Sequence, residues 1–358
     1  MPIPKKILLI LAIVIVALAG VTLSINLIIQ SATVQEQFHQ TAQKIVGVPI
    51  TMGRLSFNPF TGFHLSHVTI TDASHRSVEV SVLDFMPTWR LLLSKYWGRS
   101  LNNIEKWGGI LRARKVTLNN SFSLEHLKAH LKKRADSFLI DPFSSQVADG
   151  KLTGSFLLQE GNGLSPYQLN IHFAGISLKE LMKGVQSIEG KVQGTFFMKG
   201  VLENLEKKEG EGMLEVIGMQ FKPGGPLAQI GQLLGIQELQ LLKFDEAVAT
   251  YAVTPHQLVV KSLKLHSNNL IIRGHGIISY EGTLHLSALL LVNAKLQSRL
   301  QGLLPVAMLV PSGEAGFVAL PFEITGSLDH PHSTLLEHVA LPAINNNVQG
   351  LIQQIFKF

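Results

Sequence analysis

At 358 residues, with 46% hydrophobic and only 16% charged residues, the chain is too apolar for a disordered polymer and long enough for one extended or two compact domains. Its mean hydropathy of +0.25 is high for a soluble protein, so part of the apolar surface is expected to meet lipid rather than core. The lack of cysteine excludes a disulfide framework and thiolate-ligated zinc, and the net charge of +6 is spread thinly, its densest patch being Lys128 to Arg134.

Ile7 to Ile29 is an uncharged apolar run of 23 residues. As a helix it would rise about 34 Å, enough to cross a hydrocarbon core. A signal peptide is the rival reading, with Lys5 and Lys6 as its basic start and Ala17-Leu18-Ala19 as a cleavage site. The run continues well past Ala19, which favours an uncleaved anchor. On either reading Lys5 and Lys6 stay cytoplasmic and the bulk of the chain is exported. The expected order is then a cytoplasmic tail (1–6), a transmembrane anchor (7–29) and an amphipathic stalk helix (30–47), in which Val34, Phe38, Ala42 and Ile45 recur at helical spacing. Gly47 and Pro49 stop that helix.

From Ile50 the period becomes that of a strand. Leu55 and Phe57, then Phe63, Leu65, Val68 and Ile70, flank a turn at Asn58 to Gly62 and predict a hairpin. Gly-bounded alternating segments recur at Gly150–Gly161, Glu189–Gly200, Gly210–Met219, Ile271–Leu290 and Leu320–Pro331, as in a laterally repeated meander. Short helices are expected at Pro87–Trp97, Ser123–Arg134, Leu178–Val185 and Pro226–Leu234. The strand-helix alternation of a parallel doubly wound sheet is missing. A helical tail is expected over 335–358, where Val348, Leu351, Ile352 and Ile355 fall at helical spacing.

The search for chemistry returns little. Around Gly184 to Val192 the spacing is one residue too long for a phosphate loop, and Val192 stands where Ser or Thr should hold a metal. His126 and His130 are four apart on an expected helix, but their neighbours are lysines and a solvated face explains them. His64 and His67 would face opposite sides of an unbroken strand, as would Asp245 and Glu246. Asp329, His330 and His332 are explained equally well by a turn at Pro331. No catalytic, cofactor or metal site is therefore expected, and no enzyme activity. Trp89, Tyr96 and Trp97 beside Arg90, Lys95 and Arg99 could serve nucleic acid, but after an anchor they read better as an interfacial helix or an ordinary packing helix. No nucleic-acid partner is expected.

The order of one N-terminal span, a short helix, "ITMGRLSFNPFTGFHLSHVTITD", Gly-punctuated strands and a closing "LPFEITGSLDHPHSTL" resembles the AsmA-like family of envelope proteins, which is similar to TamB and the bridge-like lipid-transfer proteins. Pro226 to Leu290 looks like the family's C-terminal homology region. The resemblance implies a mainly β fold with short helices: a transmembrane helix followed by an elongated, curved, taco-like antiparallel sheet, the repeating β-groove. It divides the exported part into an N-terminal β region with interfacial helices (50–149) and a C-terminal β-groove region (150–334). It also implies a bacterial inner-membrane, single-pass protein with its bulk in the periplasm, handling phospholipid and working with other envelope proteins. The bottom-up reading agrees in kind. Alternation places apolar residues on one face, and the groove candidates are Leu55, Phe57, Phe63, Leu65, Leu263 and Leu265, with Lys264 and His266 on the other face. With about 15 to 18 strands spaced about 4.8 Å apart, such a groove would extend roughly 70 to 85 Å. A scaffold, or a factor assisting outer-membrane protein assembly, with the same sheet capped by helices is the alternative.

Overall fold

Short alternating runs broken by glycine and asparagine favour pairing between strands close in sequence, and the chain folds accordingly into antiparallel meanders. The computed structural model describes residues 22–46, 49–58, 60–71, 77–87, 107–118, 122–134, 136–161, 163–181, 188–222, 241–299, 310–327 and 331–334. The fold is mainly β, open and antiparallel, with few short helices. The chain divides into two compact units, Met1–Ser165 and Pro166–Phe358. A division after 149 would cut the hairpin of Ser137–Val147 with Gly150–Gln159, which stays whole in the first unit.

In the first unit β1 (Ile50–Met52) and β2 (Leu55–Asn58) both pair with one strand, β3 (Gly62–Thr71). Then β4 (Ser77–Pro87), β5 (Trp107–Leu118), β6 (Phe122–Arg134), β7 (Ser137–Val147) and β8 (Gly150–Gln159) follow, each antiparallel to the last. In the second unit β9 (Pro166–Ser177), β10 (Ile188–Val201), β11 (Asn204–Phe221), β12 (Leu242–Val253), β13 (Gln257–His266), β14 (Leu270–Ser279) and β15 (Thr283–Asn293) form the same kind of ladder. β15 pairs with β17 (Phe317–Ser327), which also carries the short β16 (Val310–Pro311) and β18 (Pro331–Ser333).

The segment Ser123–Arg134, expected to be a helix, is strand β6. Leu124, Leu127 and Leu131 imitate helical spacing because His126 has φ 53° and slips the alternation by one residue. Leu124 and Leu127 thereby pair opposite Val116 and Ala113 on one apolar face, and Ala129 and Leu131 continue it. A strand paired on both sides satisfies its backbone groups and overrides the local pattern. His67 (φ 49°) makes the same slip between Leu65 and Val68. The slips of neighbouring strands lie side by side: Leu65/Val68 faces Leu83/Val80, which faces Ala113/Val116, which faces Leu127/Leu124. An inserted residue bends its strand, so this aligned row curves the sheet of the first unit.

Residues 22–29 are helical, turn at Gln30 and Ser31, and continue as α1 (Ala32–Val46). The Ser31 hydroxyl donates to the Ile28 carbonyl at 2.7 Å, which fixes the turn. This arm covers the outer edge of β1 and β2. Asn26 accepts from the Phe57 N–H and donates to the Phe57 carbonyl, both at 2.7 Å, imitating a strand partner. Gln35 donates to the Leu55 carbonyl at 3.3 Å and the His39 Nε2 meets the Ile50 carbonyl at 2.8 Å. An otherwise open sheet edge is thus blunted by side chains.

Among the described residues no helix is long and apolar enough to cross a membrane. The expected anchor lies outside them except for its end, 22–29. The expected helices Pro87–Trp97 and Pro226–Leu234 and the tail 335–358 also lie outside, apart from Pro87, which ends β4. Of Leu178–Val185, α2 (Leu178–Leu181) is described and is capped by the Ser177 hydroxyl, which accepts from the Glu180 N–H.

Candidate functional site

Following single rungs across the pairing separates two chemically different faces. In the first unit Phe57, Phe63, Phe85, Leu111, Ala129, Phe143 and Gly154 stand in one cross-strand row. The row beside it runs His64, Asp84, Arg112, Lys128, Ser144 and Thr153. One step along the strand exchanges hydrocarbon for charge. His64 and Asp84 pair across that polar row at 2.7 Å. Lys133, opposite Phe138, is an exception on the apolar side, and Glu160 neutralises it.

The second unit repeats the arrangement in part, since next to its charged rungs the reverse face also buries an apolar cluster of Ile271, Leu291 and Ala319. Ala247, Leu265, Ile272, Leu290 and Leu320 form one rung, and Ala249, Leu263, Gly274, Ala288 and Phe322 form the next. Further along come Tyr251, Val260, Gly276, Leu286 and Ile324. No charged side chain interrupts these rungs. On the reverse, Lys264, Arg273, Leu289 and Pro321 stand in line, with His275, Ser287 and Glu323 beside them. A depression of about 910 Å³ is lined by these reverse-face residues and also by Leu263, Gly274, Ala288 and Phe322 of the neighbouring rung. Its lysines and arginine are held by partners: Lys261 by Glu211 at 3.3 Å, Lys264 by Glu246 at 3.1 Å, and Arg273 by Glu314.

At one end of the apolar face Phe244, Leu270, Val292 and Leu320 close into a core under Leu296 of α3 (Ala294–Arg299). The Asn293 side chain caps α3, accepting from the Leu296 N–H at 2.9 Å. Leu265, Ile272 and Leu290 pack against this plug, and beyond it Leu263, Tyr251, Val260, Leu286 and Ile324 are half-buried while Ala288 and Phe322 are buried. Phe196 and Tyr251 stack at 6.3 Å with their rings 20° apart. Tyr251 lies over Gly212, where an added Cβ would sit 2.5 Å from its ring. Burial pushes the Tyr251 hydroxyl pKa above its usual value, so the phenol stays neutral there.

The expected groove residues therefore fall into two groups. Leu55, Phe57, Phe63 and Leu65 come together, with the Phe57 and Phe63 rings 5.2 Å apart. Leu55, Phe57 and Leu65 are buried, and Ile29 packs on the cluster of Leu55, Leu65, Ile50 and Val68, so here the face is covered by the arm. Leu263 and Leu265 lie on the apolar face of the second unit with Lys264 on the reverse. Trp89, Tyr96 and Trp97 lie outside the described residues. Phe196, Tyr251, Ile272 and Leu290 belong to the same face and were not singled out, although they show the same alternation. Asp245 is exposed and Glu246 is tied to Lys264, while Phe244 and Ala247 on either side of them are both buried.

Among the described residues no group of three or more His, Asp or Glu is placed to hold a metal ion. Comparison with protein families, with characterised proteins and with solved structures finds no match to this chain.

Proposed function

We propose that this chain is a membrane-anchored, extracytoplasmic protein that cradles phospholipid acyl chains on its apolar sheet face, in the manner of a taco-like groove, and so assists lipid transfer or outer-membrane homeostasis. The observation that carries this reading is the second unit's apolar face, built of successive rungs without charge and left half-buried along Leu263, Tyr251, Val260, Leu286 and Ile324. A half-buried apolar face of this extent invites a ligand of the same character. Acyl chains in water cost about 0.8 kcal/mol per methylene, so a chain pair carries well over ten, and a dry surface removes most of it. The resemblance to the AsmA-like family and the apolar run at Ile7 to Ile29 support the same setting.

Purified full-length protein, washed in detergent and extracted with organic solvent, is expected to yield phospholipid at a fixed ratio by mass spectrometry. Protein free of lipid, with the apolar face protected from a hydrophobic dye, would instead favour the capped scaffold. The plug built by Leu296 gives that second reading its own foothold.

A further inference from the structure

The arm formed by residues 22–46 is tied to the first hairpin at several points, and the contacts towards its two ends, Asn26 with Phe57 and His39 with Ile50, fix its direction. Asn26 meets Phe57, Gln30 meets Arg54, Gln35 meets Leu55 and His39 meets Ile50. The arm thus runs antiparallel to β1 and β2, and the β2–β3 tip lies beside its beginning. From Asn26 back to Thr22 the helix rises about 6 Å, and from Phe57 to the tip the strand advances by a similar amount. Phe60 therefore stands near the level of Thr22.

Phe60 is 75% exposed, the most exposed large hydrophobic side chain among the described residues. Asn58 shapes the turn that presents it, accepting from the Phe60 N–H at 2.8 Å. Leu23, Leu27 and Ile28 on the neighbouring helix are 64–66% exposed. A crevice of about 520 Å³, lined by Leu23, Leu27, Asn58, Thr61 and His64, separates them from the tip. All three helical residues belong to the uncharged run that begins at Ile7. Seven residues separate Thr22 from the end of that run at Ile29, which on a helix is about 10 Å.

We propose that the β2–β3 tip is a second membrane contact, in which Phe60 inserts about 10 Å below the end of the apolar run, into the leaflet from which the run emerges. The proposal rests on the reading of Ile7 to Ile29 as an anchor. Three features suit it. Asn26, the one amide side chain of the run's last turns, has both ends of its amide bonded to Phe57, so it carries no unpaired group into lipid. Gln30 and Arg54 bond to each other where the run stops, at the level expected for headgroups. An interfacial residue of this size and depth matches the placement of amphipathic anchors. The hairpin is then fixed to the bilayer at two points, so the first unit cannot swing freely about a single helix.

The chain has no cysteine, so a single Thr61→Cys can carry an environment-sensitive fluorophore beside an intact Phe60. Full-length protein is reconstituted in vesicles of phosphatidylethanolamine and phosphatidylglycerol, some with bromine on the upper acyl carbons. The probe at 61 should be blue-shifted and quenched by brominated lipid, as should a probe at Leu27→Cys. A probe at Thr51→Cys, about 20 Å back along the strands, should stay aqueous. Adding Phe60→Ser should return the probe at 61 towards the Thr51 spectrum. A probe at 61 that matches the one at 51 while 27 is quenched overturns the insertion. Full quenching that survives Phe60→Ser overturns Phe60 as its cause, and loss of quenching at both 61 and 27 overturns the insertion together with the anchor. Extracted lipid is a separate measurement: a quenched tip on lipid-free protein leaves this contact standing and removes only the acyl-binding face.

Discussion

Leu263 and Leu265 flank Lys264, and a single step along β13 separates hydrocarbon from an ion pair. An Asp at either leucine would place an unpaired charge among Ala249, Gly274 and Ile272, where no cation stands on the same face. Leu263→Asp and Leu265→Asp are each expected to abolish co-purifying lipid. Lys264→Gln removes a half-exposed ion pair worth about 0–1 kcal/mol and should leave lipid content unchanged. Gln is the better control there, since Asp would stand against Glu246. Mass spectrometry of the three variants decides the matter, and an equal loss in all three would sink the idea of a one-sided face.

At the scale of elements, the arm and the hairpin edge form one device. Asn26→Ala leaves the Phe57 N–H and carbonyl without their side-chain partner, a loss of about 1–3 kcal/mol for buried groups. In detergent, amide exchange at Phe57 should quicken roughly 5- to 150-fold, while Leu65, on the inner side of the hairpin, should be little changed. Exchange at Phe57 that does not move would show the contact to be unimportant for the edge. The hairpin itself was legible from Leu55 to Ile70 because the alternation is plain and the turn carries Asn-Pro and Gly. The arm's grip on it was not, since Asn26 and Phe57 are thirty-one residues apart and nothing local announces a side chain acting as a strand. β6 was misread for a related reason. Each slip at a positive φ sets two apolar residues three apart, as at Leu65/Val68, Leu124/Leu127, Phe173/Ile176 and Val216/Met219. That spacing is also the signature of a helix. At Phe173/Ile176 and Val216/Met219 a glycine marks the slip, Gly175 at φ 68° and Gly218 at φ 62°. At His126 and His67 no glycine gives the warning, and only pairing on both sides resolves the element.

For the whole molecule the question is whether an apolar face is a ligand surface or merely a core lacking a second layer. In each unit part of it is closed by the chain itself, by Ile29 in the first and Leu296 in the second. The half-buried remainder distinguishes the two readings, because lipid must touch it if it is a trough and need not if it belongs to a scaffold. Photocrosslinking residues placed one at a time at Leu111 and Leu131 in the first unit and at Leu263 and Leu286 in the second face the apolar side. Their controls, Arg112, Lys128, Lys264 and Ser287, face the other. Irradiation of the full chain in its native membrane is expected to join lipid to the first set and not to the second. Adducts confined to one unit would restrict the lipid face to that unit, and equal adducts on both faces would mean that contact with the bilayer, not a trough, carries the lipid. Crosslinks only to protein on the apolar side would favour the scaffold, with a partner chain supplying the missing layer.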